Sequence, residues 1–262
     1  MFQSRRPARP SAPRAGRLLV MMALCAGPVA FVDAWVKGES SPAQVYSTVV
    51  GQRKQVTLGA GGVANLNTLS LLRVSETNER CDAELERGEA LFEVPDGASA
   101  ALQVRAGMVT LQTKGSVFAL RVRDAKHVDV VVREGRVLLS SPRGEIEVSA
   151  RQVAYVSPAG IELQPFSDAD LTRRLEWMNG HIAFSGETLA EATAEFNRYN
   201  DRKLVIADDS IRELTIGGKF ICTDVDSFLA ALAQIGVASQ EGRSSASGAR
   251  VVRLVGTGNA QP

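Results

Sequence analysis

From residue 44 to 165 the chain is written in short stretches of β-branched and apolar residues, broken every 8–12 residues by glycine, proline or charge. Gln55–Leu58 (QVTL) and Val63–Leu66 (VANL) flank Gly59–Gly62, which predicts a hairpin. Strands are then predicted at Leu71–Val74, Ala83–Leu85, Ala90–Val94, Leu102–Val104, Val109–Thr113 and Val117–Val122. Val128–Val132, Val137–Ser140, Ile146–Val148, Val153–Val156 and Ile161–Leu163 complete the series. No helix-length periodicity interrupts it, so this region is predicted to be all-β: a sandwich, roll or solenoid. Two phrases echo each other within it. Leu85–Val94 (LERGEALFEV) and Val132–Ser141 (VREGRVLLSS) each set a glycine, Gly88 or Gly135, between charged neighbours ahead of an apolar run. Glycine there points to a turn or bulge.

The pattern changes near Phe166. Ser167–Asp170 can cap a short helix carrying Leu171, Leu175 and Met178. His181–Phe184 reads as a strand. In Leu189–Tyr199, Leu189, Ala192, Phe196 and Tyr199 fall on one helical face. Leu204–Ala207 and Glu213–Phe220 read as strands, with Gly217-Gly218 as a bulge or close-approach point. Thr223-Asp224 precedes a helix whose apolar face is Val225, Phe228, Leu229, Leu232 and Ile235, stopped by Gly236. Val237–Gln240 and Val251–Val255 are strands around a serine-glycine tip, Gly242–Gly248. The order β-α-β-β-α-β-β predicts a small α+β module at 166–256, after a β domain at 44–165; residues 257–262 read as a frayed tail. The chain as a whole is therefore expected to be mostly β.

The N-terminus departs from both. Residues 1–17 hold five arginines, three prolines and no acid. Leu18–Val32 carries no charge, and the apolar character runs on past Asp33 to Val36, so 18–36 is predicted to be a transmembrane helix with Trp35 in the aromatic-belt position. The arginines place the N-terminus in the cytoplasm and the bulk of the chain beyond the membrane, with 37–43 as a linker. A cleaved signal peptide, or a weak lipobox ending at Cys25, is the competing reading. Net charge is +1 and aromatics are 5% of 262 residues, which argues against nucleic-acid binding.

The motifs occur in an order that resembles the FecR family. Tyr46-Ser-Thr48, Gly51-Gln52-Arg53, Val56-Thr57-Leu58, Leu66-Asn67-Thr68, Ser70 and Leu72-Arg73-Val74 look like the opening of its periplasmic domain. Leu85–Val94, Val104–Gly107, Gly115–Phe118 and Val132–Val137 continue it. Trp177–Gly180, Ile182–Phe184, Leu189–Ala192 and Glu195–Tyr199 are similar to the C-terminal module, which is like the STN domain of TonB-dependent transducers and secretins. The resemblance implies a single-pass inner-membrane regulator of an extracytoplasmic-function (ECF) sigma factor. Its expected partners are that sigma factor, the inner membrane and the signalling domain of an outer-membrane TonB-dependent transducer occupied by an iron chelate. Family members bind the sigma factor through a helical N-terminal domain; residues 1–17 are too few for one, so either the start codon lies upstream of Met1 or the chain is a sensor half without its effector. The alternative is a secreted or lipid-anchored periplasmic module that binds a glycan or an envelope protein.

Catalytic chemistry has little support. His127 and His181 belong to no metal-spaced cluster and are read as structural or surface residues. Glu84 and Glu86 alternate on one strand face, as solvated residues do. No nucleophile elbow, P-loop or zinc-protease motif occurs, so no catalytic residue, metal site or cofactor is expected. Phe92 and Phe118 read as core. Cys81 and Cys222 read either as a bridge between the two domains or as two separate buried thiols. The expected binding surface is a strand edge of the C-terminal module that accepts a partner's strand: Leu204, Val205 and Ile206; Leu214, Thr215 and Ile216; or Val251, Val252 and Leu254.

Overall fold

The computed structural model describes residues 43–258, apart from 60, 78–79, 99 and 244–249. The predicted segments 1–17 and 18–36, most of the 37–43 linker, most of the serine-glycine tip and residues 259–262 of the tail lie outside the described residues. Among the described residues no helix is long and apolar enough to cross a membrane.

Twelve strands build the N-terminal part: β1 (Gln44–Ser47), β2 (Lys54–Thr57), β3 (Val63–Leu66), β4 (Leu71–Glu76), β5 (Arg80–Val94), β6 (Ala101–Ala106), β7 (Val109–Thr113), β8 (Ser116–Val122), β9 (Val128–Ser141), β10 (Gly144–Ser149), β11 (Gln152–Ser157) and β12 (Gly160–Pro165). The predicted hairpin is β2–β3. Two pairs of predicted strands are each a single long strand, β5 and β9. These two hold the layers together. Residues 80–87 of β5 pair with β4 and β6, whereas 88–94 pair with β3 and β8. In β9, residues 128–132 pair with β11 and β8, and 136–141 with β10 and β7. Each long strand thus passes from one layer to the other at the glycine the sequence repeats.

The bend has the same anatomy twice. Glu86 has no partner between the pairs Leu72↔Leu85 and Leu71↔Arg87, and Arg133 has none between Phe118↔Val132 and Val117↔Glu134. A bulge therefore lies two residues before Gly88 (φ 89°) and two before Gly135 (φ 73°). Bulges bend and re-aim a strand, and the positive φ at each glycine is unfavourable for any residue with a Cβ. Of their charged neighbours, Arg87, Glu134 and Arg136 face solvent, whereas Glu89 is buried.

A core of Leu72, Leu85, Phe92, Leu102, Val104, Phe118, Leu120, Val130 and Leu139 fills the space between the layers. The chain is mostly β as expected, and its twelve N-terminal strands are one hydrogen-bonded sheet folded over into two layers around this core, a sandwich-like arrangement. Phe92 and Phe118 are core residues as predicted: they are cross-strand partners with rings stacked at 5.2 Å.

The C-terminal part follows the predicted order. It comprises α1 (Asp168–Leu175), a 3-10 turn (Glu176–Asn179), β13 (His181–Thr188), α2 (Leu189–Tyr199), β14 (Lys203–Ile206), β15 (Thr215–Ile221), α3 (Val225–Gln234), β16 (Val237–Arg243) and β17 (Arg250–Gly256). Ser167 and Thr188 form capping boxes with Asp170 and Glu191, which fix where α1 and α2 begin. β13 pairs with β15, and the unpaired residue of the bulge is Gly186 in β13, opposite the predicted Gly217-Gly218. β14, β17 and β16 form a second small sheet in that order. Phe196 and Phe228 stack at 4.0 Å and, with Phe184 and Phe220, join both helices to β13–β15. Ile235 is a correction: it caps α3 and is 43% exposed, while Val225, Phe228, Leu229 and Leu232 are buried. Cys81 and Cys222 are both buried without a disulfide, one in each core, so the bridge is not formed.

Candidate functional site

The second layer of the sandwich is buried on both faces. Its outer side carries two straight cross-strand rows over β5, β8, β9 and β11. The first is Leu91, Ala119, Val131 and Val153; the second is Glu89, Arg121, Asp129 and Tyr155. The apolar row belongs to the same core as Phe184, Phe196 and Leu189, so the C-terminal part packs directly on it. This explains why these strands read as near-continuous apolar runs instead of alternating.

The polar row makes specific contacts. Arg198 of α2 donates to Glu89 at 2.8 Å and also pairs with Glu195. Arg121 donates to Glu195 at 2.8 Å. Asn67 Nδ2 donates to both Glu89 (3.0 Å) and the Tyr199 hydroxyl (2.7 Å). Asn67 and Thr68 lie in the turn after β3; the Thr68 hydroxyl donates to the Arg198 carbonyl. Glu89 is 7% exposed and Asn67 fully buried, so this chain of charges is shielded from water. Burial alone would raise the Glu195 carboxyl; Arg198 and Arg121 outweigh it and hold its pKa below the ordinary range. Burial would lower Arg198, yet Glu89 and Glu195 leave it raised. Burial, reinforced by Glu89, pushes the Tyr199 phenol up. From the loop after β1, Arg53 donates to the Trp177 carbonyl at 2.8 Å and to that of Met178, seating the 3-10 turn.

Beside this network lies a cleft of about 480 Å³ between the polar row and α1, β13 and α2. Arg174 donates to the Tyr155 hydroxyl at 2.6 Å and lies over its ring. Arg123 is held by Asp129 at 2.6 Å, and Arg173 by Asp170 and Glu187.

The residues singled out from sequence are placed as follows. His127 lies exposed beside Asp124 at 2.8 Å. His181 opens β13, half-buried, and lines the cleft. Glu84 pairs with Arg105 and Glu86 with Arg73, on the solvated face. No group of three metal-ligating side chains occurs among the described residues. The edge positions need three corrections. Val251, Val252 and Leu254 are in β17, the central strand, paired on both sides. Leu214 precedes β15, and its backbone is used within the chain: N–H to the Ile211 carbonyl, C=O from the Leu189 N–H. Leu204 is covered by Asn197 of α2, whose carboxamide accepts from its N–H (2.7 Å) and donates to its C=O (2.8 Å), as a neighbouring strand would. Val205, Ile206, Thr215 and Ile216 remain in strands paired on one side. The sequence reading missed Glu89, Asn67, Arg198 and Glu195 as a unit, although all four lie inside the phrases it quoted.

Residues 44–138 match the family described as FecR protein, so the chain carries a FecR domain over that stretch. The match takes in both bends, Gly88 and Gly135. The fold is similar to two crystal structures of a candidate anti-sigma factor from Parabacteroides distasonis ATCC 8503, at 1.65 Å and 2.50 Å. They give TM-scores of 0.67 and 0.66 at 20% identity, covering 82% and 81% of this chain and 99% of theirs. At that identity the likeness is one of fold, and its extent takes in the C-terminal part as well as the sandwich. No curated protein matches the chain.

Proposed function

We propose that this chain is a membrane-anchored, non-enzymatic regulator of an ECF sigma factor. In this reading the FecR-type β domain (44–165) and the STN-like module (166–256) face the periplasm, and residues 18–36 cross the inner membrane with the N-terminus in the cytoplasm. The signal comes from the signalling domain of an outer-membrane TonB-dependent receptor. One observation carries the proposal: a FecR match inside a fold that parallels a candidate anti-sigma factor over 99% of its length. The site is consistent with relay by contact. Its charges are joined to one another across the two parts, and strand addition beside Thr215–Ile216 or Val205–Ile206 would give a partner main-chain hydrogen bonds.

Deleting the gene in its native host tests the regulatory claim. A discrete set of transcripts sharing one promoter sequence should change; an unaltered transcriptome rules the reading out. Thr215→Cys and Val205→Cys chains test the edge, since at least one should crosslink to the receptor's signalling domain. Protection of residues 44–256 from protease in intact cells, lost on opening the outer membrane, tests the orientation.

A further inference from the structure

Successive side chains of a strand point to opposite faces. On β1 and β4, Tyr46, Leu72 and Val74 turn into the sandwich core, so Val45, Ser47, Leu71 and Arg73 turn outward. Ser47 pairs with Leu71, and the pairing continues where the Leu69 N–H donates to the Val49 carbonyl at 3.5 Å. Val45, Leu71, Leu69 and Val49 therefore gather at one outer corner of the sandwich. Val49 is 68% exposed, Val45 52% and Leu69 40%. Leu69 also sits at φ 55°, a left-handed conformation uncommon for any residue with a side chain. A leucine held there and still 40% exposed gains little from this chain's own core. Grouped and not scattered, these side chains mark an interaction surface.

Charge and chain length narrow what meets this corner. From Ser40 to Ser75 the sequence holds no aspartate or glutamate, while Arg53, Lys54 and Arg73 are cations. The carboxylates next to the corner across the sheet, Glu84 and Glu86 of β5, are matched by Arg105 and Arg73. Arg87, exposed opposite Leu71, and Lys54, whose ammonium lies over the Tyr46 ring, add positive charge at its border. Apolar side chains with a basic border suit a layer of anionic headgroups above acyl chains. β1 is also the first strand of the chain after the apolar run 18–36. The stretch from Val36 to Ala43 reaches at most about 25 Å. With 18–36 in the inner membrane, β1 therefore starts within that distance of the bilayer. A contact too weak to form from free solution is then favoured by its high effective concentration.

We propose that this corner rests on the periplasmic surface of the inner membrane, with Val45, Val49 and Leu69 in the headgroup layer and Arg87 and Lys54 on anionic phospholipid. This rests on the reading of 18–36 as a membrane span, and the test separates the two.

The test uses the full chain carrying Trp35→Phe and Val49→Trp, reconstituted one copy per nanodisc of phosphatidylethanolamine and phosphatidylglycerol. Trp177 is buried and gives a constant background. Acyl chains brominated near the headgroup should quench the Val49→Trp emission. Leu163→Trp in the same Trp35→Phe chain, exposed on the opposite edge strand β12, should stay unquenched. Arg87→Glu should lower the ratio of docked to free chain at least about fivefold, the effect of losing one cation at an anionic surface. Val49, Leu163 and Arg87 are all exposed, so none of these changes loads the core. A chain that does not stay with the disc overturns the membrane span and the docking together. A chain that stays, with Val49→Trp quenched no more than Leu163→Trp, overturns the docking alone. So does a Val49→Trp emission shifted to the blue but unquenched, which places protein and not lipid over the corner. Quenching unchanged by Arg87→Glu overturns the choice of an anionic headgroup.

Discussion

At the scale of single residues, the buried charges of the Glu89–Arg198–Glu195–Arg121 chain are mutually dependent. Removing one partner of a buried pair leaves the other uncompensated, which costs about 3–5 kcal/mol. Arg198→Met should therefore lower stability by roughly that much, read from the urea midpoint, whereas exposed Arg80→Met, whose ion-pair partner among the described residues is Asp82, should change it by less than about 0.5 kcal/mol. Acid should act through the same residues. The Glu195 pKa is depressed in the fold. As pH falls, the unfolded chain takes up that proton first, so stability is present above about pH 4.3, the ordinary glutamate value. It is lost as pH falls further, through the folded value. Arg198→Met should flatten this acid limb in urea midpoints measured between pH 5 and 3; an unchanged slope would assign the limb to other carboxylates. None of this was legible in the sequence. An acid beside a glycine reads as solvated, and only the packing of α2 over β5 makes Glu89 a buried residue. The Asn197 cap on Leu204 was hidden for a similar reason: a carboxamide on a helix gives no sign of which strand it reaches.

At the scale of elements, the sequence was most readable where one face is buried against one core. The capping residues, the face of α2 and most short strands fell where periodicity put them. The echo around Gly88 and Gly135 was visible, but its meaning was not, because a bulge joins what the pattern separates. The two glycines make a quantitative contrast with Gly97, which also has positive φ (74°) but nothing within 4 Å of the place a Cβ would take. A Cβ at Gly88 would lie 2.5 Å from the Ser70 Cα, and one at Gly135 2.6 Å from the Gly115 carbonyl. Gly97→Ala should cost about 1 kcal/mol, the conformational term alone. Gly88→Ala and Gly135→Ala should each cost about twice that or more, since backbone must also move. Thermal melts of the three variants check the order. In the C-terminal part, Phe196→Ala should cost about 3–5 kcal/mol, as it breaks a ring cluster shared by both helices.

For the whole molecule, the shared core is decisive. Leu91, Ala119, Val131 and Val153 are residues of the sandwich that lie in the core of the C-terminal part. The sequence showed them only as extra apolar positions, since periodicity says that a second face is covered but not by what. The two parts should therefore unfold together: calorimetry and Trp177 fluorescence should report one coincident transition, and Leu91→Asp should separate it into two. One further consequence follows from β17 being the middle strand of its sheet. It is the last described strand to be synthesised, yet β14 and β16 have no strand neighbour until it arrives. During translation the sandwich can close while the C-terminal part waits, with its apolar surfaces uncovered, for residues 250–256 to emerge. A premature stop at Arg250 would thus strand a finished sandwich beside an unfinished module, and such a product is a ready target for chaperones and proteases.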